Sequence, residues 1–430
     1  MEHIVIIGNG ISGVTTARHI RKMSDKKITI ISSETKYFYS RTALMYVFMG
    51  HMKMEHTQPY ENDFWKKNNI ELLFTTVNSV IPEKKELALD NNTSLFFDKL
   101  IIATGSKSNK FGWPGQDLNG VVGLYNKQDL DSLEILAKKA KHAVIVGGGL
   151  IGIELAEMLI SRKIPVTFLV RETNFWGGVL PEDEAKMINR HILEHGIDLR
   201  LEANLKEILS DENGNAKSVI LENGEEIVCD IVGITVGVSP NVSFLNSSGI
   251  RIDKGILVNR FLETNFPFIY AVGDCAQQEE ALGNRKPIEA VWYTGRMMGE
   301  TLAQTICGNP MKYNPGNWFN SAKFFDIEYQ TYGWIFNKPK EEETHFYWEH
   351  KSGKKAVRIN YNSNTQEFIG INTFGIRMKH EFFDSVLNQK QSVNHVIDNL
   401  NNACFDPELY TSHTKEIQQS FKNQFATSTL

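Results

Sequence analysis

Two glycine-rich segments have the residue types and spacing needed to bind phosphate groups. Residues 8–13 read GNGISG and residues 147–152 read GGGLIG, so both have glycine at the first, third and sixth positions. In a turn of this kind, backbone N–H groups and a helix N-terminus approach a pyrophosphate, and a Cβ at any of the three glycines would collide. One such motif is weak evidence, but two in the same context predict two dinucleotide sites. We refer to them as the first and second glycine turns.

Charged residues beyond each glycine turn can select the ribose of a nucleotide. Glu34 lies about 20 residues beyond the first turn, where a carboxylate accepts hydrogen bonds from adenosine ribose hydroxyls. The alternative for Glu34 is an exposed loop acid. Beyond the second turn, Arg171 offers a guanidinium to a 2′-phosphate and Glu172 offers a carboxylate to a 2′-hydroxyl. The sequence therefore leaves both NADH and NADPH open.

Apolar runs and helical patterns flank both turns. Around the first turn, the sequence predicts a strand over residues 4–7, a helix over 14–23 and a strand over 28–31. Around the second, it predicts a strand over 143–146, a helix over 153–161 and a strand over 166–170. Further apolar runs at 100–103, 231–236 and 268–272 end in glycine-containing turns. Such runs are typical of parallel strands that are covered by helices on both faces.

A chain of 430 residues is too long for one compact core and is expected to form two or three domains. From about residue 318 the pattern changes to aromatic, alternating strands at 345–349, 356–361 and 368–374, with helices over 381–387 and 393–403. We predict an α/β fold with two Rossmann-like βαβ dinucleotide-binding domains, the second inserted in the first, and a C-terminal α+β domain. The predicted domains are residues 1–115 with 241–317, residues 116–240, and residues 318–430.

Composition narrows the classes of partner. A net charge of −5 gives no electrostatic reason to bind nucleic acid or anionic membranes, so small molecules and proteins are the expected partners. The four cysteines form no C-x-x-C pair, and histidines such as His51, His56, His142 and His191 are expected in surface or core roles, so no metal site is predicted. The start of the chain has no basic segment and no apolar stretch approaches 18 residues, which favours a cytoplasmic location without a membrane span.

In their order along the chain, these motifs resemble the pyridine nucleotide-disulfide oxidoreductase superfamily of FAD flavoproteins. Besides the glycine turns, residues 103–105 (ATG), 237–241 (GVSPN) and 264–274 (TNFPFIYAVGD) are similar to signatures of that family, so the resemblance covers about residues 1–320. It implies that the first turn holds FAD and the second NAD(P)H, and that Asp274 bonds the flavin ribityl chain. It also implies a hydride transfer from NAD(P)H to flavin N5, with Glu154 and Trp292 in the flavin and nicotinamide environment. The alternatives are helix packing for Glu154 and a core position for Trp292.

Carried over residue by residue, the resemblance implies two sets of contacts. The FAD contacts are Gly8, Gly10, Ser12, Gly13, Ser33, Glu34, Arg41, Thr42, Val77, Ala103, Thr104, Gly105, Gly273, Asp274 and Trp292. The NAD(P)H contacts are Gly147, Gly149, Leu150, Ile151, Gly152, Glu154, Arg171, Glu172 and Gly237.

The chain departs from the family where its disulfide reductases carry redox thiols. Those enzymes need two thiols beside the flavin, whereas the position of a single redox cysteine in one branch is Thr42 here. Residues 39–44 (YSRTAL) instead resemble a stretch of ferredoxin, rubredoxin and nitrite reductase-type reductases. Several of those carry a lysine where this chain has Tyr46, so Glu154 is expected to protonate or to find another donor.

Three functions follow from this resemblance. The first is an FAD-dependent NAD(P)H oxidoreductase that passes electrons to a redox protein such as rubredoxin or ferredoxin. The second is an NAD(P)H oxidase or a reductase of quinones or small molecules, and the third is an NADH-responsive interaction module resembling apoptosis-inducing factor. The C-terminal domain is expected to serve dimerisation or acceptor docking. A basic cluster at Lys351, Lys354, Lys355 and Arg358 is expected to be a solvated turn, because nearby acids roughly balance it; the alternative is a surface that attracts an acidic carrier protein. The acceptor, the nucleotide preference and the oligomeric state, including a homodimer, stay open.

Overall fold

The computed structural model describes residues 1–405 and 411–427, which divide into two compact units. The first unit comprises residues 1–111, 122–138 and 237–315, and the second comprises residues 112–121, 139–236 and 316 onward. The segment with the second glycine turn is therefore inserted in the sequence of the first unit. The three-domain division with the boundaries given above stays a prediction.

The first unit is built on a five-stranded parallel sheet. Its strands, in spatial order, are Ile269–Ala271, Lys99–Ile102, His3–Ile7, Lys27–Ser32 and Ile70–Phe74. Their side chains are mostly buried, as the continuous apolar runs predict for strands covered on both faces. Because the carboxyl ends of parallel strands meet at one edge, the first glycine turn, residues 103–105 and Asp274 all follow strands at the same edge of this sheet.

Helices Ile11–Met23 and Trp292–Ile306 of the first unit pack closely because glycines face Ser12. A Cβ added at Gly295 would lie 2.6 Å from Ser12 Oγ, and one at Gly299 would lie 2.7 Å from the Ser12 carbonyl oxygen. Side chains at these two positions would push the second helix away from the glycine turn. The smaller elements of the first unit are strands Val77–Ile81, Glu86–Leu89, Ser94–Phe96, Ser106–Ser108, Val238–Pro240, Ile256–Val258 and Ala276–Gln278, and helices Leu44–Phe48, Phe64–Lys67 and Lys127–Leu136. A short strand, Val121–Val122, lies at the division between the units.

The second unit contains another parallel sheet and the C-terminal sheet. Four parallel strands lie in the order Asp198–Arg200, Val166–Leu169, Ala143–Val146 and Ile231–Ile234. Helix Leu150–Ser161 follows the second glycine turn, helix Glu182–Glu194 follows strand Val166–Leu169, and a three-stranded antiparallel sheet is formed by Leu205–Ser210, Ala216–Leu221 and Glu226–Val228. The strand–turn–helix pattern of the first unit is thus repeated.

The C-terminal segment forms a five-stranded antiparallel sheet with helices. The strands, in spatial order, are Phe319–Phe324, Ile327–Gly333, Phe368–Phe374, Ala356–Asn362 and Glu343–Glu349. The helices are His380–Asn388, Val393–Asp398, Leu400–Ala403 and Thr414–Thr427. In the aromatic strands of this segment, Phe346, Trp348 and Phe374 are buried in the described structure, so they fill the core and are not a docking surface. Within the described residues, no helix combines the length and apolarity needed to cross a membrane.

Candidate functional site

The three glycines of the first turn differ in what surrounds them. At Gly8, φ is +114° and a Cβ would lie 2.1 Å from the Ala103 carbonyl oxygen. At Gly13 a Cβ would lie 2.1 Å from the Gly8 carbonyl oxygen, whereas at Gly10 it would meet nothing within 4 Å. The outer glycines are therefore required by the fold, and the middle one borders open space.

The second turn repeats this division. Gly147 has φ of +117° and a Cβ there would lie 2.6 Å from the Thr235 carbonyl oxygen. A Cβ at Gly152 would lie 2.4 Å from the Gly147 carbonyl oxygen, and one at Gly149 would meet nothing within 4 Å. A middle glycine that packing does not require is what a closely approaching ligand needs.

The helices after both turns begin without a capping side chain. Gly10 and Gly149 are the N-cap residues, neither makes a side-chain hydrogen bond, and no acidic residue lies in either first turn. The first N–H groups of a helix have no partner within the helix, and the helix dipole favours negative charge there. Both turns therefore offer uncapped N–H groups and space to a phosphate.

Glu34 is held by a network and is not the exposed loop acid considered above. Arg41 Nη2 donates to Glu34 Oε2 at 2.7 Å, and the backbone N–H of Lys127 donates to Oε1 at 3.0 Å. Tyr39 also donates to Oε1, and the Arg41 guanidinium donates to the Tyr125 carbonyl oxygen. Burial opposes ionisation, but Arg41 outweighs it and holds the pKa of Glu34 below its usual range. Oε2 has one donor and keeps capacity to accept another.

A pocket of about 310 Å³ opens beside Glu34. Tyr37, Tyr39, Met54 and Gln128 are among the residues that line it, so its wall combines aromatic and thioether surface with amide groups. A volume of this size falls at the lower end of ligand pockets, and such a lining suits a flat, partly polar ring.

Asp274 lies at the carboxyl end of strand Ile269–Ala271, within the short helix Gly273–Cys275. Its carboxylate accepts a hydrogen bond of 3.0 Å from Ser106 Oγ, and burial raises the pKa of Asp274 although Ser106 partly opposes this. Thr104 Oγ1 donates to the Asn241 carbonyl oxygen at 2.8 Å, and Gly105 has φ of +65°. A Cβ at Gly273 would lie 2.4 Å from Ser12 Oγ, so this glycine is required for contact with the first turn.

The other residues expected to contact FAD vary in exposure. Val77 and Ala103 are buried, whereas Ser33 and Thr42 are exposed. Trp292 is half-buried at the start of helix Trp292–Ile306, with its ring edge-on to Tyr293, so it is not a core tryptophan. A half-exposed aromatic at a helix start is available to a ligand, and its role stays a prediction.

Glu154 is half-buried on helix Leu150–Ser161 of the second unit. Burial, aided by the charge of Glu157, raises the pKa of Glu154 to about 7, and Lys323 opposes the rise. Lys323 comes from strand Phe319–Phe324 and donates to Glu157 Oε1 at 2.7 Å. The expectation that Glu154 tends to protonate agrees with this geometry. No local sequence signal identified Lys323, because it lies 166 residues from Glu157.

The residues expected to choose between NADH and NADPH are exposed. Arg171 Nη2 lies 2.9 Å from Glu172 Oε1, and their side chains are 78% and 37% exposed. An exposed pair of neighbouring charges is weak and free to rearrange, so both nucleotides stay open. Leu150 and Ile151 are half-buried in the first turn of their helix. Gly237, with φ of +90°, belongs to the first unit and accepts a hydrogen bond from the Asn109 N–H.

The structure contradicts one surface interpretation. Arg358 was grouped with Lys351, Lys354 and Lys355 in a solvated turn, but its residue is 4% exposed within strand Ala356–Asn362. Its guanidinium donates to Glu184 at 2.8 Å and to Asp183 at 2.7 Å. Arg358 therefore belongs to the interior of the second unit and offers no charge to a partner protein.

All four cysteines are free thiols. Cys229 and Cys275 are buried, and burial raises the pKa of Cys229 to about 12 and that of Cys275 to about 11. Thiols with pKa values this high carry little thiolate, the form that reacts with a disulfide.

Comparison with known proteins supplies independent findings. The sequence pattern of the family described as pyridine nucleotide-disulphide oxidoreductase matches residues 2–299. The assimilatory nitrate reductase electron transfer subunit of Bacillus subtilis is 28% identical over 396 residues, covering 90% of this chain and 50% of its own. The 5,5′-dehydrodivanillate O-demethylase ferredoxin reductase subunit of Sphingobium is 30% identical over 335 residues, covering 76% and 81%. The chain thus spans half the length of the Bacillus relative.

A solved structure shows the same fold. The NAD-dependent persulfide reductase of A. fulgidus superposes with a TM-score of 0.86 at 21% identity, covering 99% of this chain and 84% of that one. At this identity the likeness concerns the fold alone.

Proposed function

The chain belongs to the pyridine nucleotide-disulphide oxidoreductase family, and on that premise we propose that it is an FAD-dependent NAD(P)H oxidoreductase with a small electron-carrier protein as acceptor. The observation that supports this most directly is the pair of glycine turns with matching geometry. In each, packing requires the outer glycines and leaves the middle one facing open space before an uncapped helix. When bound, FAD would take a hydride from the nicotinamide and pass the electrons to the acceptor.

In this proposal the first unit holds FAD. The uncapped N–H groups after Gly10 bind the pyrophosphate, and Glu34 Oε2 accepts a hydrogen bond from the adenosine ribose. The pocket beside Glu34 takes the adenine ring. Asp274 accepts hydrogen bonds from the ribityl hydroxyls. Its buried carboxylate accepts one hydrogen bond from Ser106 in the described structure, so its oxygens keep capacity to accept others.

The second unit holds NAD(P)H at the turn that contains Gly149. Glu154 lies one turn into the following helix, and its pKa of about 7 lets it lose a proton near neutral pH. Its ionised form would stabilise the positive charge that appears on the nicotinamide ring when the hydride leaves. Glu154 acts only through its charge, since no side chain is required to transfer the hydride itself.

The choice of acceptor has two supports. The sequence offers no C-x-x-C pair, and the two buried thiols have raised pKa values, so a sulfur relay has little thiolate to work with. The Sphingobium relative, 81% of which this chain covers, is a ferredoxin reductase subunit. Oxygen, a quinone or a small organic molecule is the competing acceptor.

An anaerobic titration tests the proposal. Purified protein is expected to be yellow, and NADH or NADPH should bleach the flavin absorbance stoichiometrically. Ferredoxin or rubredoxin should then reoxidise it faster than air does. Colourless protein that fails to take up added FAD, or flavin that neither nucleotide bleaches, would reject the proposal. Rapid aerobic NADH oxidation with peroxide formation, in the absence of a carrier protein, would favour the oxygen acceptor instead.

One variant connects the assay to the second glycine turn. Gly149→Ala places a methyl group in space that is empty in the structure, where it would keep a phosphate from one backbone N–H group. Since this removes one charge-assisted hydrogen bond, KM for NAD(P)H should rise about 10- to 100-fold. Flavin content should stay at the wild-type level.

We further propose a homodimer. Sedimentation of a monomer at assay concentrations would reject the homodimer and leave the proposed reaction unaffected.

A further inference from the structure

Two histidines and an aspartate of the second unit lie together. His191 belongs to helix Glu182–Glu194 and His195 is its C-cap, so the two are one helical turn apart on the same side. Asp326 lies between strands Phe319–Phe324 and Ile327–Gly333. One nitrogen of each ring and one carboxylate oxygen lie within 4.8 Å of one another. No metal site is predicted from the sequence, although two histidines four residues apart on a helix are a spacing that metal ligands use.

The two imidazoles have nitrogens available for a ligand. His195 Nδ1 lies 2.9 Å from the His191 carbonyl oxygen and donates to it, which leaves the lone pair of His195 Nε2 free. The His191 side chain is 1% exposed, and its Nε2 lies 2.6 Å from Asp326 Oδ1. Nδ1 of the same ring is buried and has no hydrogen-bond partner in the described structure. A cation held between Nε2 and Oδ1 would replace their direct contact and leave Nδ1 to donate its proton toward Glu194, whose Oε2 lies 3.6 Å away.

The neighbouring residues hold these groups in place. The Phe325 ring stacks on His195 with centroids 4.1 Å apart and planes at 13°. Lys354 donates to Asp326 Oδ2 at 3.0 Å, which leaves Oδ1 facing the two imidazoles. On the other side of His191, Glu194 Oε2 lies 3.6 Å from Nδ1. Partners that orient a ligand and bind its second atom are typical of the outer shell of metal sites.

We propose that His191 Nε2, His195 Nε2 and Asp326 Oδ1 bind one divalent transition-metal ion of the Zn²⁺ class, with water as the fourth ligand. Ligand atoms around tetrahedral zinc at bond lengths of about 2.0–2.2 Å are about 3.3–3.5 Å apart. The separation of Asp326 Oδ1 from His191 is 2.6 Å and from His195 is 3.7 Å, so the two values bracket that spacing. The ion links the helix to the hairpin of the C-terminal sheet and has no part in electron transfer. This proposal does not rest on the proposed function.

A second group, His350, His413 and Glu416, is a weaker match. His413 Nε2 lies 2.8 Å from Lys355 Nζ, so a cationic side chain already lies against one member of this group. We therefore restrict the proposal to the site at Asp326.

Zinc titration of the untagged flavoprotein tests the site. Protein freed of metals with a chelator should take up one equivalent of Zn²⁺ in competition with a chromophoric chelator. Co²⁺ in its place should give the visible absorption of four-coordinate cobalt. Zn²⁺ at 100 times its Kd should raise the melting temperature of the protein by about 3 °C.

Variants decide whether this cluster is responsible. His195→Asn and Asp326→Asn change side chains that are 29% and 55% exposed, so both should fold with normal flavin content. Each should weaken Zn²⁺ binding about 100-fold or more, since each removes one of three protein ligands. His395→Asn, an exposed histidine of the same unit, is the matched control and should bind like the wild type. Failure of the wild type to retain one equivalent, or equal affinities in all three variants, would overturn the proposal.

Discussion

Replacing Gly10 by alanine separates binding at the first glycine turn from folding. Gly10 has φ of −72°, which alanine adopts without strain, and the added Cβ would meet nothing within 4 Å. The protein without flavin should therefore stay within about 1 kcal/mol of the wild type in free energy of unfolding, because the lower entropy of the unfolded chain is offset by the weaker preference for alanine at an N-cap. The methyl group would instead occupy the space from which a phosphate reaches the uncapped N–H groups.

The expected loss of FAD affinity follows from the hydrogen bonds at stake. Losing one bond from an N–H group to a charged oxygen costs about 1.5–3 kcal/mol, which raises the Kd for FAD about 10- to 150-fold. FAD release on dilution, followed by the recovery of its fluorescence, measures this Kd, and thermal unfolding of the flavin-free protein measures stability.

Two further glycines provide the comparison. Gly178 also borders open space and lacks a left-handed φ, so Gly178→Ala should leave FAD affinity unchanged and change the free energy of unfolding by no more than about 1 kcal/mol. Gly13→Ala should lose both, because its Cβ would lie 2.1 Å from the Gly8 carbonyl oxygen. If Gly10→Ala held FAD as tightly as the Gly178 control, the first turn would not be the FAD site. If Gly10→Ala unfolded like Gly13→Ala, our account of open space would be wrong.

Three other outcomes follow from burial and charge. The pKa of Glu154 is about 7 in the folded protein and 4.5 in the unfolded chain, so its contribution to stability is complete below pH 4.5 and is lost as the pH rises to 7. The loss amounts to at most about 3 kcal/mol. When urea unfolding is measured between pH 4.5 and 7, Glu154→Gln should lack this part of the fall in the free energy of unfolding. Arg358→Met should lower the free energy of unfolding by about 3–5 kcal/mol, because it leaves the Glu184 carboxylate buried without its cation. Lys351→Met, at an exposed position, is the control and should unfold like the wild type. Equal unfolding midpoints for the two variants would contradict the ion pair. Alkylation of native protein with a maleimide should leave NAD(P)H turnover unchanged, and strong inhibition would argue for a redox thiol.

Much of the fold followed from local sequence patterns. The family and the α/β class are confirmed, and the strand predicted over residues 4–7 is found as His3–Ile7. These features are predictable because a buried parallel strand and a glycine turn are encoded by neighbouring residues. The helix predicted over 14–23 begins earlier, at Ile11, because Gly10 is itself the N-cap and the glycine turn supplies the first helical turn.

One helix prediction was wrong for a local reason. The helix expected over 393–403 is two helices, Val393–Asp398 and Leu400–Ala403, separated at Asn399. The Asn399 side chain and backbone N–H both donate to the His395 carbonyl oxygen, at 2.9 Å and 3.1 Å, and the Asn399 backbone, with φ of −102° and ψ of 13°, leaves the helical conformation. Apolar periodicity does not report this break, because it records which positions are buried and not the backbone conformation of a polar residue between them.

The partners of the buried charged side chains could not be predicted from the sequence, because each pair joins distant parts of the chain. Residues 351–358 are rich in basic side chains, so Arg358 was grouped with its sequence neighbours, yet its partner Glu184 lies 174 residues away. Strand alternation alone does not identify which acid an inward-facing arginine will meet. The same holds for His191 and Asp326, which come together only when the C-terminal sheet packs in the second unit.

The C-terminal segment supplies a cation, Lys323, that acts on the charge of Glu154. The resemblance places Tyr46 where several related reductases carry a lysine, so from the sequence the charge of Glu154 has no obvious partner. In the structure Lys323, from the first strand of the C-terminal sheet, pairs with Glu157 and lowers the pKa of Glu154 against the effect of burial. Without Lys323, two acids one helical turn apart would repel each other in a half-buried setting, and Glu154 would hold its proton more tightly. The C-terminal sheet therefore helps to set the proton affinity of the residue expected beside the nicotinamide, which gives this segment an electrostatic role apart from dimerisation or docking.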